Sequence, residues 1–194
     1  MQVTLINYTQ HALETLIFTK STRLRMTGRA LEEIIAWPME KKMEEWAYMQ
    51  NTIKSSWEFA DYVFMIEGVT RGFTHQLVRH RVGTSFAQQA QRVVNMADFE
   101  YISTGNVRDC GEESMLLAIY DSTMGQINEG FQALLRAGAN PQDARGVLPT
   151  NICTNICLKA NLRTLYGMSS ERLCYKAQGE YQDVMRAIRD AVCS

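Results

Sequence analysis

Two hydrophobic periods can be read along the chain. VTLIN (residues 3–7) is rich in β-formers and predicts an opening strand. Residues His11 to Lys20 are helical by composition, and residues 28–50 carry two helical stretches broken at Pro38. The second, MEKKMEEWAYMQ, mixes charges with Met43, Trp46 and Met49 at helical spacing. YVFMIEGV (Tyr62 to Val69) predicts a strand, and Thr70 to His80 a helix. The amide-rich stretch from Ser85 to Val94 reads equally as strand or loop, and residues 99–109 as a loop with Gly105. From Glu112 to Ala137 a long helix is predicted, with Met115, Leu116, Ile119, Met124, Ile127, Phe131 and Leu134 as its apolar face. Gly138 and Asn140-Pro141 stop it, and Pro141 opens a short helix to Gly146. Thr150 to Ala160 alternates, with Ile152, Thr154, Ile156 and Leu158 on one face, which predicts a strand. Asn161 to Met168 and Tyr175 to Val192 close the chain as helices. No linker or repeat architecture interrupts the pattern. The expectation is one domain over residues 1–194, α+β, mostly helical with a small mixed or antiparallel sheet.

Composition narrows the class. The 194 residues are 46% hydrophobic and 21% charged, the ordinary globular range, which excludes a disordered chain. No apolar run approaches the roughly 18 residues of a bilayer span, so no membrane partner is expected. MQVTLINYTQ has no basic stretch followed by an apolar one, so no signal peptide is expected either. Five scattered cysteines, an odd number, fit reduced thiols and a cytoplasmic location. Cys153 and Cys157 would lie about 13 Å apart on a strand and find no nearby His or second Cys pair; they read as small buried hydrophobes, and no metal is expected. A formal net charge of -1 argues against a nucleic-acid polymer as partner.

Near-neutrality hides an asymmetry. Arg outnumbers Lys 14 to 6, and from Gly68 to Ala97 there is no Asp or Glu while Arg71, Arg79, Arg81, Arg92, His75 and His80 all occur. Guanidinium forks are favoured where carboxylates or phosphates must be gripped, so a small anionic ligand is expected there. Within HQLVRHRVGTSFAQQAQR (75–92) the consecutive Arg79, His80 and Arg81 enter a turn marked by Gly83 and splay in different directions. Gln88, Gln89, Gln91 and Arg92 then supply amides and a guanidinium for a base and a phosphate. His11 is isolated and reads as a surface or capping residue; His75 reads mainly as structural.

The Arg79-His80-Arg81 segment resembles the signature of the flavin-dependent thymidylate synthases, an Arg-His-Arg triplet followed by Ser, here Ala90, and by Arg, here Arg92. Further blocks match in order. Ser55 and Glu58 precede the signature, Arg145 stands before Leu148-Pro149, and Asn161-Leu162-Arg163 matches an Asn-x-Arg unit. Arg172 is followed by Ala177-Gln178 and Glu180. The likeness covers roughly residues 50–185.

The resemblance implies a homotetramer that binds FAD between subunits, reduces it with NADPH, and uses methylenetetrahydrofolate to convert dUMP to dTMP without a cysteine nucleophile. It places Ser55, Glu58, Arg79, His80, Arg81, Val82, Gln88, Asn161, Arg163 and Gly167 at FAD. It places Gln76, Leu77, Val78, Arg79, Gln88, Gln89, Ala90, Gln91, Arg92, Arg145 and Arg172 at dUMP, with Arg92 and Arg145 on the phosphate and Arg172 as the catalytic group at the uracil ring. This sequence departs from the family pattern at Ala90, Ile53, Phe59 and Gly167, which marks a divergent member. Two neighbouring readings keep the same segments: C5 methyl or hydroxymethyl transfer on dCMP or dUMP, and a nucleotide- or flavin-binding homologue without catalysis.

Overall fold

The alternation at Ile152, Thr154, Ile156 and Leu158 yields the central strand of the molecule. The computed structural model describes residues 1–20, 26–91, 96, 98–103, 105–109, 111 and 114–193. Arg92 and Cys110 lie outside the described residues, as does part of the stretch from Ser85 to Val94. Strands β1 (Gln2–Tyr8), β2 (Asp61–Thr70), β3 (Thr84–Gln88) and β4 (Cys153–Asn161) form an antiparallel sheet in the order β1-β2-β4-β3. Phe64, Ile66, Ile156, Leu158 and Ala160 point to one face and are fully buried. They pack on α4 (Arg71–Leu77), α8 (Leu162–Arg172) and α9 (Gly179–Cys193) through Phe73, Leu77, Leu165, Met168, Tyr181, Val184 and Met185. A second core joins α1 (Ala12–Lys20), α2 (Gly28–Ile35) and α3 (Met39–Gln50) to a 3-10 turn at Ser55–Phe59, around Leu16, Ile17, Ile34, Met49 and Trp57. The break at Pro38 falls between α2 and α3, as predicted.

One irregularity aims the signature segment. Ile66 pairs with Ile156 but Val69 with Thr154, so β2 carries an extra residue beside β4, and Gly68 takes up the bulge at φ 62°. β2 thereby delivers Thr70 to the start of α4, where its hydroxyl accepts from the Phe73 N–H. Buried Glu180, at the start of α9, accepts both the Thr70 N–H (2.7 Å) and the Thr70 hydroxyl (2.5 Å). α4, α9 and the end of β2 are thus tied at one buried carboxylate.

Several expectations are corrected. The helix from Thr70 ends at Leu77, so Arg79, His80 and Arg81 stand in the turn after it. Between 99 and 109 the chain forms the short helix α5 (Asn106–Asp109). α8 runs past Met168 to Arg172, and α9 begins at Gly179, because Cys174 and Ala177 close a turn and Glu180 is fixed to Thr70. The apolar face of α6 (Met115–Arg136) divides: only Met124 and Phe131 are buried, while Met115, Leu116, Ile119 and Leu134 are exposed, Met115 by 77%. α6 leads to α7 (Pro141–Ala144), capped by the Asn140 side chain. Cys153 and Cys157 are half-buried on the sheet face away from α8 and α9 rather than fully buried. Among the described residues no helix is long and apolar enough to cross a membrane.

Candidate functional site

The turn after α4 is held from three sides. Thr84 Oγ1 donates to the His80 carbonyl (2.6 Å), Thr164 Oγ1 to the Val82 carbonyl (2.9 Å), and the Asn161 N–H to the Gly83 carbonyl (3.1 Å). Asn161 Oδ1 in turn accepts the Thr164 N–H and caps α8. Gly83 sits at φ 69°, and a Cβ there would stand 2.3 Å from Thr164 Oγ1 and 2.4 Å from Asn161 Nδ2. The chain needs glycine at this position for both reasons. Gly83→Ala is expected to cost about 2–4 kcal/mol, combining left-handed strain with a displaced cap. The urea midpoint measures this, and ligand retention in the cleft should fall with it.

This clamp places Arg79, His80, Arg81 and Val82 on one wall of a cavity of about 510 Å³. Asn161, Arg163, Thr164 and Gly167 form the facing wall, with Glu58 and Glu171 at the edges. Glu58 and Arg163 form an ion pair across the cleft, each about half exposed. At Gly167 a Cβ would meet nothing within 4 Å, so the cleft is roomier there. Eight residues expected at the flavin therefore meet in one place: Glu58, Arg79, His80, Arg81, Val82, Asn161, Arg163 and Gly167. The cavity also takes in Gly83, expected only as a turn marker, Glu171, considered only as an acceptor for a cytosine amine, and Thr164 and Met168, for which no site role was expected. Ser55 and Gln88 do not line this cavity; Gln88 Nε2 donates to Thr74 Oγ1 at 2.8 Å.

At one edge Arg172 Nε donates to His80 Nε2 over 3.3 Å, and its guanidinium carbon lies 4.8 Å from the centre of the Tyr181 ring. Burial and then the Arg172 charge hold the His80 imidazolium below its ordinary pKa, with Glu171 opposing. His80 is thus kept as a neutral acceptor for Arg172.

The residues expected at the nucleotide are divided. Gln76 is bonded to Gln178, joining α4 to the segment before α9. The Leu77 side chain is fully buried in the core, which leaves its main chain as the part that could meet a ligand; Val78 packs against that core. Gln89, Ala90 and Gln91 follow β3, with Gln89 and Ala90 exposed. Arg145 lies at the other end of α4, beside Arg71, a residue the sequence reading counted as cationic without assigning it a role. Burial and then the Arg145 charge lower the Arg71 pKa. No salt bridge is made by either arginine among the described residues. Two cations that act on one another and form no salt bridge among the described residues are groups of the kind that grip a compact dianion. The seven residues of α4 place it about 10 Å from the His80 end, at 1.5 Å per residue.

A second cavity of about 420 Å³ lies across α8, where Leu162, Leu165 and Tyr166 meet Trp46, Trp57 and Ile188. Its walls are apolar and carry none of the signature cations. The first cavity is the candidate site because the charge converges there.

Comparisons with known proteins cover nearly the whole chain. A family described as "Thymidylate synthase complementing protein" matches residues 4–194. The chain is 30% identical to the flavin-dependent thymidylate synthase of Pyrococcus furiosus, over 95% of this chain and 75% of that protein. It is 32% identical to that of Sulfurisphaera tokodaii, over 95% and 70%. It is 35% identical to that of Nitratidesulfovibrio vulgaris, over 70% and 55%. It therefore spans between about half and three quarters of these relatives' length. Thymidylate synthase X of Helicobacter pylori, solved with FAD and dUMP, has the same fold at a TM-score of 0.73 and 21% identity, over 98% of this chain and 92% of that one.

Proposed function

We propose that this chain, which belongs to the family of thymidylate synthase complementing proteins, the flavin-dependent thymidylate synthases, catalyses the reductive methylation of dUMP to dTMP. The observation that carries the reading is the single cleft in which Arg79-His80-Arg81 meets Asn161 and Arg163 from a segment some 80 residues later. Cationic forks on both walls and the open space at Gly167 suit a flat, anionic cofactor such as FAD.

Arg79, Arg81 and Arg163 would hold FAD, with Asn161, Val82 and the space at Gly167 shaping the walls. When bound, FAD supplies the reducing equivalents, taken from NADPH, that complete the transfer of a one-carbon unit from methylenetetrahydrofolate. Arg163 exchanges its Glu58 partner for the cofactor. Arg145, joined by Arg71, grips the nucleotide phosphate. Arg172 donates to the uracil ring as C5 becomes nucleophilic and charge collects on the base oxygens.

A cavity of about 510 Å³ lies within the ~300–1,000 Å³ of ordinary ligand pockets, yet FAD, dUMP and folate must all be housed. The phosphate-type site and Arg172 stand at opposite ends of α4, a separation that one nucleotide spans. The size of the cavity supports a homotetramer whose sites are completed by neighbouring subunits, and so do two uncovered apolar surfaces. One is the outward stripe of α6; the other is the half-buried sheet face with Met65, Cys157 and Ala87.

The test is to purify the protein and record the flavin absorbance. Turnover is then measured with FAD, NADPH, methylenetetrahydrofolate and either dUMP or dCMP, with the product mass determined. Methylated dUMP supports the reading. A preference for dCMP, with Glu171 in the cleft as acceptor for the cytosine amine, or a product heavier by one oxygen, replaces it with the related C5 transferase. Arg81→Ala and Arg163→Ala are each expected to weaken FAD retention roughly 10- to 100-fold, since a charged hydrogen bond is worth about 1.5–3 kcal/mol. Unchanged retention in both variants would place the cofactor elsewhere.

A further inference from the structure

Tyr181 is fully buried, yet its ring contacts the edge of the proposed active site. The Arg172 guanidinium lies over the ring, 4.8 Å from its centroid. His80 meets the same ring edge-on at 6.3 Å, and Phe73 braces it at 4.9 Å with the planes at 70°. Tyr181 therefore stands where α4, the signature turn, the end of α8 and the start of α9 converge. Its hydroxyl is buried and meets no partner at full hydrogen-bond geometry among the described residues, although the Arg172 guanidinium comes close enough to act on it. Burial pushes its ionisation up to about 12, although Arg172 opposes the shift, so the ring stays neutral near pH 7.

The contacts leave Arg172 in a defined orientation. Nε is used by His80, which has to be neutral to accept it. The guanidinium carbon lies over an aromatic ring whose quadrupole attracts a cation, and more strongly where water is excluded. Among the described residues no carboxylate forms a salt bridge with Arg172. The terminal amino groups are the donors left for a ligand. An arginine held in this way reaches a reacting group without first paying for its own ordering.

We propose that Tyr181 is the positioning residue of the site: its ring face, braced by Phe73, holds Arg172 and His80 in the arrangement from which Arg172 addresses the nucleotide base. The inference rests on the reading of Arg172 as the group at the uracil ring. Tyr181 touches no substrate and acts only through these two neighbours. A lysine at 172 would not substitute, because it lacks both the Nε donor and the flat face.

The test uses the FAD-loaded full-length protein and normalises turnover to bound flavin. Position 181 is varied through Tyr181→Phe and then mono-, di- and trifluorinated phenylalanine, which keeps the size nearly constant and weakens the attraction of the ring face for a cation. Tyr181→Leu removes the face. Turnover of dUMP per flavin is expected to fall stepwise through the fluorinated series relative to Tyr181→Phe. It should fall roughly 10- to 100-fold in Tyr181→Leu, the scale of a misplaced catalytic group, with dUMP affinity little changed. A purely structural role would change flavin content and melting temperature while turnover per flavin stayed flat across the series, and that result overturns the proposal. The fluorinated series carries the test even if Tyr181→Leu does not fold. Arg172→Ala is measured alongside. If it turns over normally, the reading of Arg172 fails and the inference falls with it. If it loses turnover while the series stays flat, the inference alone fails.

Discussion

Arg172→Ala is expected to lower turnover of dUMP roughly 100- to 1,000-fold while dUMP affinity changes less than about tenfold, the pattern of a donor whose worth is greatest in the transition state. The structure gives this variant a specific character. Arg172 closes α8 and reaches over Tyr181 to His80, so its terminal amino groups are free of any salt bridge among the described residues. In the ground state a neutral uracil gains one ordinary hydrogen bond from it. As C5 is made nucleophilic, before it attacks the one-carbon unit, negative charge collects on the base oxygens and the same donor becomes charge-to-charge. Removal therefore weighs on kcat rather than on binding. A second readout accompanies the first. Burial is the main cause of the lowered His80 pKa and the Arg172 charge the next, so in Arg172→Ala the imidazole should titrate closer to its ordinary value. Stability follows with a fixed sign. A depressed histidine leaves the fold at full stability above its ordinary pKa near 6.5 and weakens it as pH falls through the folded value. That acid loss should shrink in the variant. Titration of the His80 ring by NMR and steady-state kinetics with saturating FAD check both parts. Equal losses in kcat and affinity would show that Arg172 binds the nucleotide uniformly and has no special role in the chemistry.

How far the sequence carried this picture differs by element. The alternation through Ile152, Thr154, Ile156 and Leu158 made β4 legible, because a period of two with one apolar face has few other solutions. Pro38 and Asn140-Pro141 fixed helix boundaries through backbone chemistry alone. The signature triplet, Arg163 and Glu58 were legible as a set only through ordered motifs; the structure then gathered them into one cleft. Long-range geometry was not legible. Nothing in the chain announces that Arg71 will stand beside Arg145, or that Thr164 will crowd Gly83. Tyr181 and Arg172 sit on separate helices whose start and end the periodicity misplaced, so their contact could not be read. The apolar stripe of α6 is the instructive failure. Periodicity marks which positions are apolar, but whether a subunit's own core or a neighbour covers them is a question of packing.

Ile119→Glu combined with Ala133→Glu is expected to convert the proposed tetramer to smaller species and to bring turnover down to background. On a helix of 100° per residue, Met115, Ile119, Gly130 and Ala133 lie on one side, opposite Met124 and Phe131, which face the subunit's own interior. Ile119 is 59% exposed, and a Cβ at Gly130 would meet nothing within 4 Å, so this side presents apolar and small residues to the outside, with Ser122, Thr123 and Gln126 set among them. Small residues let a second helix approach closely, and the apolar area favours its arrival by about 25 cal/mol per Å². Two carboxylates in such a contact would have to be buried unpaired, a cost of several kcal/mol that the interface cannot offset. The subunit itself should keep its fold, because neither substituted side chain belongs to either buried cluster. Loss of activity follows from the proposed assembly: the cleft of one subunit, about 510 Å³, has to be completed by a neighbour before FAD, dUMP and folate can be housed together. Light scattering measures the assembly, circular dichroism the retained fold, and the dUMP assay the activity. A double variant that remained tetrameric and active would move the interface to the open face of the sheet around Met65 and Cys157, where the corresponding charge substitution at Met65 becomes the decisive one.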